Sequence, residues 1–325
     1  MVTSCVPEPT LTSAIIAAMI LLTGGTGFIG SHLIEKLVSV NIFPRLLLRP
    51  KKETPQLIPG KSFDITVSSL GDLGGLRSAM RNVEIIIHLA SSEQNWPDVD
   101  LEETDTGGLQ NLLIAAKEAG VNKILFLSRI GMDKNSSYPV LRTKAICEAM
   151  IKSSGLAFTI IRLGDVYGQG DHFTRLIASS LRFAPGFLPL PDNGKTVLQP
   201  LWVEDLLSII TLLLEIDDFD GKTLEIGGGE YLEFATICKI IMEIIHRKKV
   251  LLPVPSAYLR ILNLWFRPFK GSFPLPTIWL DLLAMDRICP LDSMSRNFNI
   301  LPVRFATHLN HLRETSKAKK PYGGS

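Results

Sequence analysis

A glycine-rich turn near the amino terminus constrains the fold of this chain more than any other feature. Residues 20–30 read ILLTGGTGFIG, and residues 31–38 continue as an amphipathic helix, so the pattern is strand, tight turn and helix. Gly24 can adopt the angles of the turn, Gly27 allows the main chain to approach a pyrophosphate, and Gly30 lets the helix pack closely. Because free N–H groups at the start of a helix attract phosphate, the stretch predicts dinucleotide binding. A purely structural glycine turn is the alternative.

The size and composition of the chain fit this prediction. Its 325 residues can bury a large core in one or two domains. A positive mean hydropathy of +0.23 suits a parallel sheet that is buried on both faces. The net charge of +2 gives no nucleic-acid signature, so no nucleic-acid partner is expected. The chain has four cysteines, Cys5, Cys147, Cys238 and Cys289, and their positions show no paired spacing. They are predicted to be free thiols in a reducing compartment.

Residues 1–18 are predicted to be an N-terminal extension that precedes the folded part of the chain. They contain no Lys or Arg, whereas a secretory signal begins with basic residues and a mitochondrial presequence is rich in Arg. The apolar run at 14–22 is too short to span a bilayer and includes the first predicted strand. The expected location is therefore the cytoplasm, with association to a membrane surface. An organellar protein with an atypical targeting segment is the alternative.

Strand and helix patterns alternate from residue 19 to residue 164. Short apolar runs predict strands, and the amphipathic segments between them predict helices. This rhythm predicts an α/β fold, a Rossmann-type doubly wound parallel sheet that forms an NAD(P)-binding domain over residues 19–164. After the first strand, the predicted strands are Leu46–Leu48, Asp64–Val67, Glu84–Ala90, Lys123–Ser128 and Phe158–Leu163, and the predicted helices are Leu73–Met80, Thr104–Ala119 and Arg142–Ser153.

Residues 165–325 are predicted to form a smaller mixed C-terminal lobe that completes the cleft at the carboxyl edge of the sheet. Gly and Pro become frequent around residues 183–200, before the predicted elements Val203–Leu214, Thr223–Ile226 and Glu233–His246. The Pro-rich apolar segment 251–284 either covers the core of this lobe or presents an apolar surface to a protein partner or a membrane. A basic tail at 317–320 adds weak attraction to an anionic surface.

The end of the second predicted strand favours NADP(H) over NAD(H). A site for NAD usually has Asp or Glu there, about 20 residues after the glycines, to bind the ribose hydroxyls. Here residues 48–52 read LRPKK, with no acid before Glu53. The guanidinium of Arg49 can bind a 2′-phosphate that a carboxylate would repel. The alternative is that these basic residues only form a solvated loop.

Three motifs resemble those of the short-chain dehydrogenase/reductase superfamily. They are the TGxxGxxG form of the turn at 23–30, HLA at 88–90 after the fourth strand, and IIRLGDVYG at 160–168. Within the extended and atypical branches, residues 136–144, 165–172 and 195–205 are most similar to one subgroup. That subgroup includes the NAD(P)H-binding accessory subunit of respiratory complex I and its bacterial relatives. The similarity covers about residues 19–265.

The resemblance implies a set of cofactor contacts and an altered catalytic centre. Active members carry Tyr and Lys four positions apart on one helix, and the Tyr acts as acid or base in hydride transfer. Lys144 is well placed, but Val140 occupies the Tyr position, and Tyr138 precedes Pro139, ahead of the predicted helix. The remaining catalytic candidates are Lys144, Tyr138 and Ser128. The implied cofactor contacts are Thr23, Gly24, Thr26, Gly27, Phe28, Ile29, Gly30, Arg49, Leu70, Leu89, Ala90, Ser91, Ser128 and Lys144.

The sequence therefore favours an NADP(H)-binding protein that is non-catalytic or weakly catalytic. It would serve as a subunit, assembly factor or redox sensor of a larger complex, as the complex I subgroup implies. The alternative is an NADP-dependent reductase or sugar epimerase-like oxidoreductase with a displaced proton donor, for which Tyr138, Tyr167 and His88 are candidates. A third hypothesis is a peripheral membrane protein that handles a lipid or quinone in the smaller lobe.

Other polar and glycine-rich features are interpreted as structural. His308 and His311 lie three positions apart on a predicted C-terminal helix and have no third ligand nearby, so no metal site is expected. Glu204 and Asp205 are predicted to begin a helix. The triplet at 227–229 is interpreted as a turn, because the acids that follow it would repel phosphate.

Overall fold

Strands and helices alternate along the chain and build one large parallel sheet. The computed structural model describes residues 18–50, 61–95, 98–183, 186–266 and 277–313. The strands are β1 (Ile20–Thr23), β2 (Arg45–Leu48), β3 (Ile65–Val67), β4 (Ile85–His88), β5 (Lys123–Arg129), β6 (Ala157–Leu163), β7 (Val166–Tyr167), β8 (Phe187–Pro191), β9 (Val197–Leu198), β10 (Leu201–Trp202), β11 (Lys222–Ile226), β12 (Leu232–Glu233) and β13 (Val250–Val254). The large sheet has the order β11-β6-β5-β4-β1-β2-β3, and every neighbouring pair in it is parallel.

Helices cover both faces of this sheet. The helices of the described residues, including those of the C-terminal lobe, are α1 (Phe28–Ser39), α2 (Leu73–Ala79), α3 (Gly107–Ala119), α4 (Pro139–Ser153), α5 (Phe173–Phe183), α6 (Val203–Glu215), α7 (Phe234–Ile244), α8 (Ser256–Phe266), α9 (Thr277–Leu282) and α10 (Ser293–Phe298). Leu22 of β1 packs in a core with Leu33 of α1 and Ile210 of α6. Its neighbour Leu21 packs in a second core with Leu112 of α3, on the opposite face. Because both faces are covered, the central strands β1 and β4 are buried along their whole length.

The C-terminal lobe has a core of its own. Phe173 and Ile177 of α5 are buried together with Phe234 and Ile237 of α7 and with Phe305. Beside this core β8 and β13 form a parallel pair, and two short pairs, β7–β10 and β9–β12, complete the lobe. By contrast, β11 pairs with β6 of the large sheet, and α6 packs against α1. The chain therefore returns to the large sheet after the predicted domain boundary at residue 164.

The predicted fold class is confirmed, and the differences from the predicted elements have local causes. Helix α4 begins at Pro139 instead of Arg142, because proline fits the first position of a helix, where its missing N–H costs nothing. The predicted helix Thr104–Ala119 opens with a π-helical turn, Glu102–Thr106, before α3. The C-terminal helix predicted around His308 and His311 is wrong: two separate 3₁₀ turns, Phe305–His308 and Asn310–Leu312, stand there.

Some of the predicted segments lie outside the described residues. These are residues 1–17 of the extension, the tail at 317–320, and residues 267–276 of the apolar segment. Within the described residues, three cysteines are free and buried, namely Cys147, Cys238 and Cys289. Cys5 lies outside the described residues. Within the described ranges, no helix combines the length and the apolar character that a membrane crossing needs.

Candidate dinucleotide site

The glycine turn fits tightly against its surroundings at Gly24 and Gly30. Gly24 has a φ of +75°, and a Cβ there would lie 2.6 Å from the backbone nitrogen of Ala90. A Cβ on Gly30 would lie 2.2 Å from the carbonyl oxygen of Gly24. The close packing of Gly30 is thus against the turn itself. Gly27 is exposed, and a Cβ there would meet only the Gly24 oxygen, at 3.3 Å. The turn is therefore closely packed at Gly24 and Gly30 and open to solvent at Gly27.

The start of α1 offers unpaired N–H groups beside this opening. Gly27 is the N-cap and has no side chain to cap the helix, and no acidic residue stands in the first turn. The first hydrogen bond of the helix runs from the Ser31 N–H to the Gly27 oxygen, so the N–H groups of Phe28, Ile29 and Gly30 have no partner within the helix. Exposed Thr26 borders the same opening. The geometry and the helix dipole suit a phosphate group at this position.

The glycine turn lies where the strand order of the sheet reverses, between β1 and β4. The ends of these strands are in register, with Thr23 beside His88 and His88 beside Phe126 of β5. The Thr23 hydroxyl is 2.7 Å from Nδ1 of His88, whose ring stacks on Phe126 at 5.8 Å between centroids. Burial, reinforced by the charge of Lys144, lowers the pKa of His88 to about 3. His88 is therefore a neutral, packed residue.

The loop after β4 is fixed beside the glycine turn. The Leu89 N–H donates to the Thr23 oxygen at 3.2 Å. The Asp105 carboxylate accepts from the Ser91 hydroxyl and from the Ser92 N–H, both at 2.9 Å. The structure thus brings the predicted contacts Leu89, Ala90 and Ser91 next to Gly24. Leu70 lies further along the edge, where the Asn111 amide donates to its carbonyl oxygen at 3.0 Å.

Lys144 lies at the other end of the cleft. Its ammonium group is 5.4 Å from the centre of the Phe126 ring, and the residue is 8% exposed. Within the described part of the chain it forms no ion pair. Ser128 is on the same face of β5 as Phe126, but it is buried beside Arg162, which pairs with Glu148 of α4. Arg49 is exposed at the end of β2, next to β1.

The position where the resemblance places the acid–base tyrosine is covered by apolar side chains. Val140 is 1% exposed and packs with Leu101 of the π-helical segment and with Ile278 and Leu282 of α9. Tyr138 is the N-cap of α4, so it lies before the helix as predicted. Its ring packs against the same cluster, and the guanidinium of Arg260 is 5.6 Å from the ring centre. Val140 carries no hydroxyl group, and the Tyr138 ring packs against the apolar cluster and Arg260.

Tyr167 is also poorly suited to proton transfer. Its side chain is fully buried in the core of the C-terminal lobe, and its hydroxyl donates to the carbonyl oxygen of Arg304 at 3.4 Å. Burial, together with the nearby Asp205, raises the pKa of Tyr167 well above its usual value. The phenol therefore stays protonated and packed, with its ring 4.9 Å from that of Phe305.

A network of buried charges lies at the carboxyl ends of β5 and β6. Arg129 forms two hydrogen bonds with the Glu93 carboxylate, at 2.7 and 3.0 Å, and lies 3.8 Å from Asp165. Asp165 in turn pairs with Arg287, which is fully buried. Burial alone would raise the pKa of Glu93, but the charge and hydrogen bonds of Arg129, together with the charges of Lys144 and Arg287, lower that pKa to about 2. The network ties the loop after β4 to the C-terminal segment.

Sequence reasoning missed this network. Its four members come from four distant segments, and no spacing in the chain links them. The one local signal is the position of Arg129 at a strand end that otherwise reads as buried. The two histidines interpreted as structural each have a packing partner: His308 stacks on Trp202 at 4.0 Å, and His311 lies 3.3 Å from the Asp171 carboxylate.

Comparison with known proteins agrees with this geometry. Residues 24–181 match a family model described as NAD(P)H-binding. The mitochondrial NADH dehydrogenase [ubiquinone] 1 alpha subcomplex subunit 9 of Arabidopsis thaliana is 27% identical over 270 residues, which cover 78% of this chain and 65% of that protein. An uncharacterized UDP-glucose epimerase of Bacillus subtilis is 27% identical over 267 residues, 71% of this chain and 84% of that protein.

Further relatives include an assembly factor and solved epimerase structures. The photosystem II assembly factor Ycf39 of Synechocystis is 22% identical over 268 residues, 78% of this chain and 76% of that protein. The UDP-glucose 4-epimerase of Thermus thermophilus, solved in complex with NAD, superposes with a TM-score of 0.69 at 22% identity. The superposition covers 91% of this chain and 99% of the epimerase, and a similarity at 22% identity shows a shared fold.

Proposed function

We propose that this chain, an NAD(P)H-binding protein of the atypical short-chain dehydrogenase/reductase type, holds NADP(H) as a bound ligand and is a subunit or assembly factor of a larger complex. The observation that carries the proposal is Val140. The place of the acid–base tyrosine is buried among apolar side chains, while the glycine turn and Lys144 retain the geometry of a dinucleotide site. The protein therefore binds the cofactor without the standard proton donor.

The dinucleotide would lie along the carboxyl edge of the sheet. Its pyrophosphate would sit over Gly27, against the N–H groups of Phe28, Ile29 and Gly30. Exposed Arg49 would bind the 2′-phosphate, which is the reason to favour NADP(H) over NAD(H). Lys144 and Ser91 would border the nicotinamide end, where the bound cofactor would supply or accept a hydride. The remaining proposed contacts are Thr23, Thr26, Leu70, Leu89, Ala90 and Ser128.

Two named relatives support a role within a complex. One is a subunit of mitochondrial NADH dehydrogenase, and another is an assembly factor of photosystem II. For this chain we infer a protein partner, and a location on a membrane-associated complex in an organelle or in a bacterial cytoplasm.

An oxidoreductase or epimerase is the alternative, and the relative named as a UDP-glucose epimerase favours it. The three displaced donors suggested by the sequence have other roles in the structure. His88 is neutral at ordinary pH, Tyr167 is buried, and Tyr138 packs under Arg260. This distribution favours the non-catalytic proposal.

Binding and turnover in one sample separate the two functions. We expect purified protein to bind NADPH more tightly than NADH and to show no oxidation of either over a panel of carbonyls, nucleotide sugars and quinones.

Gly27→Val should abolish binding, because the side chain would stand over the N–H groups of α1, and Gly107→Val is the matched control since open space surrounds that glycine. Arg49→Glu should lower the affinity for NADPH about tenfold or more and leave the affinity for NADH unchanged. Arg81→Glu, the control, should change neither affinity. Steady turnover by the unmodified protein would establish the enzyme instead.

A further inference from the structure

A group of exposed apolar side chains lies on the C-terminal lobe, far along the chain from the glycine turn. It comprises side chains from the end of α5, from β8 and β13, and from α8, and we call it the β8–β13 face. Its members are Phe183, Phe187, Val250, Tyr258, Ile261 and Leu262, with exposed fractions from 41% to 84%. Single exposed apolar residues are ordinary, but a contiguous group of this kind marks an interaction surface.

The backbone places these side chains on one side of the lobe. In the parallel pair β8–β13, Phe187 is in register with Val250, and the next residues, Leu188 and Leu251, are in register and pack into the core. Because side chains alternate along a strand, Phe187 and Val250 point away from the core. The Ser256 N–H donates to Asp192 at 3.2 Å, which holds the start of α8 beside the end of β8.

Helix α8 continues the face with a similar division. Leu259 is 1% exposed and packs into the core of the lobe. Tyr258, Ile261 and Leu262 are spaced three and four positions apart and are exposed. Over residues 256–262, α8 therefore presents apolar side chains both to the core and to solvent.

Basic side chains border the same face. Exposed Arg247 and Lys248 come directly before β13. Arg182 precedes Phe183, and burial, followed by the charge of Arg247, lowers the pKa of Arg182. The acids of the neighbouring elements are Glu243 of α7 and Asp192 at the end of β8, and the basic side chains Arg182, Arg247 and Lys248 outnumber them.

We propose that the β8–β13 face docks on the surface of a bilayer that contains anionic phospholipid. The aromatic and aliphatic side chains enter the layer between headgroups and acyl chains, and Arg247 and Lys248 bind the phosphate headgroups. An apolar surface next to Arg and Lys supplies both attractions that a peripheral membrane protein uses, and each basic residue near an anionic surface adds to the affinity.

Sedimentation with vesicles tests the proposal on the full chain. We expect binding to vesicles of phosphatidylcholine with phosphatidylserine, and weak binding to phosphatidylcholine alone. The double variant Arg247→Glu/Lys248→Glu should lower affinity for the anionic vesicles by at least about tenfold. Tyr258→Ser/Ile261→Ser should lower affinity for both kinds. Arg81→Glu/Lys117→Glu, the matched control, reverses two exposed charges elsewhere and should bind like the unmodified protein.

Retained NADPH binding in every variant would show that the fold is intact, and it is scored separately from sedimentation. The proposal is overturned if the unmodified protein stays in the supernatant with anionic vesicles, or if the control variant loses binding as much as the face variants. Retention on heparin beads without sedimentation on vesicles would also overturn it and would assign the face to an acidic macromolecule.

Discussion

At the residue scale, burial decides what His88 and Asp205 can do. His88 is enclosed by Thr23 and Phe126, and this burial, with the charge of Lys144, holds the pKa of the imidazole at about 3. Asp205 accepts a hydrogen bond from the Val303 N–H at 3.0 Å, yet its burial raises the pKa of the carboxyl group to about 6. Both groups are therefore neutral in the native protein at pH values where they would be charged in the unfolded chain.

These two residues should give pH dependences of opposite sign. Below its usual pKa of about 6.5, His88 binds a proton in the unfolded chain but not in the native protein, so stability falls as the pH drops from about 6.5 towards 3. Asp205 keeps its proton in the native protein at higher pH than in the unfolded chain, so it makes stability fall as the pH rises from about 4 to about 6. Each contributes at most about 1.4 kcal/mol per pH unit.

Chemical denaturation between pH 4 and pH 7 checks these signs. Relative to the unmodified protein, His88→Gln should lose stability less steeply on acidification, and Asp205→Asn should lose it less steeply as the pH rises. Parallel pH profiles for all three proteins would contradict the assigned burial effects.

At the element scale, the start of α4 determines which residue stands where the resemblance places the acid–base tyrosine. Pro139 begins the helix and leaves Tyr138 in extended backbone before it, so Tyr138 cannot take the place of a tyrosine one turn before Lys144. Val140 has that place, and α9 covers it with Ile278 and Leu282. The position where the resemblance expects a tyrosine therefore both lacks the phenol group and is covered by apolar side chains.

Restoring the tyrosine alone should not restore chemistry. We expect Val140→Tyr to lower the free energy of unfolding by about 1–3 kcal/mol, because the larger side chain overpacks the cluster beneath α9. NADPH oxidation should remain at background. Ile146→Tyr, at a half-exposed position of the same helix, is the control and should cost less stability. A gain of turnover by Val140→Tyr would show that the cleft still holds a substrate site.

The same element shows how far the sequence could predict the site. The spacing of Val140, Tyr138 and Pro139 is local, so the missing donor and the position of Tyr138 were predictable from the sequence. The burial of Val140 depends on Leu101 and α9, which are distant in sequence and meet it only in the folded protein. The glycine turn was predictable for the same local reason, because backbone geometry at Gly24 and Gly30 requires glycine. The pairing of Arg287 with Asp165 had no local signal.

At the scale of the whole molecule, the buried charge network joins the large sheet to the C-terminal lobe. Arg129 and Asp165 lie at strand ends of the sheet, and Arg287 comes from the segment that follows α9. A buried charge that loses its partner is costly, whereas replacing both partners by neutral groups can cost little. The network therefore specifies how the last part of the chain closes over the sheet.

Breaking this pair should destabilise the whole protein. We expect Arg287→Met to lower the free energy of unfolding by about 3–5 kcal/mol, since Asp165 stays buried without its main partner. The double variant Asp165→Asn/Arg287→Met should recover much of that loss. Glu118→Gln removes an exposed ion pair with Arg77 and should leave the unfolding midpoint nearly unchanged. Equal midpoints for the single variant and the unmodified protein would mean that the pair has no role in closure.

The order of the strands also determines how the chain must assemble during synthesis. Strand β1, made first, lies inside the sheet between β4 and β2, so the sheet grows outwards from its first strand in both directions. One margin is complete once residues 65–67 have been made, because β3 is the outer strand there. The other stays open at β5 and then at β6 until β11 is added at residues 222–226. A ribosome-bound chain that has emerged only to residue 160 therefore exposes an apolar strand edge, which is the state that chaperones recognise and that aggregates if release is delayed.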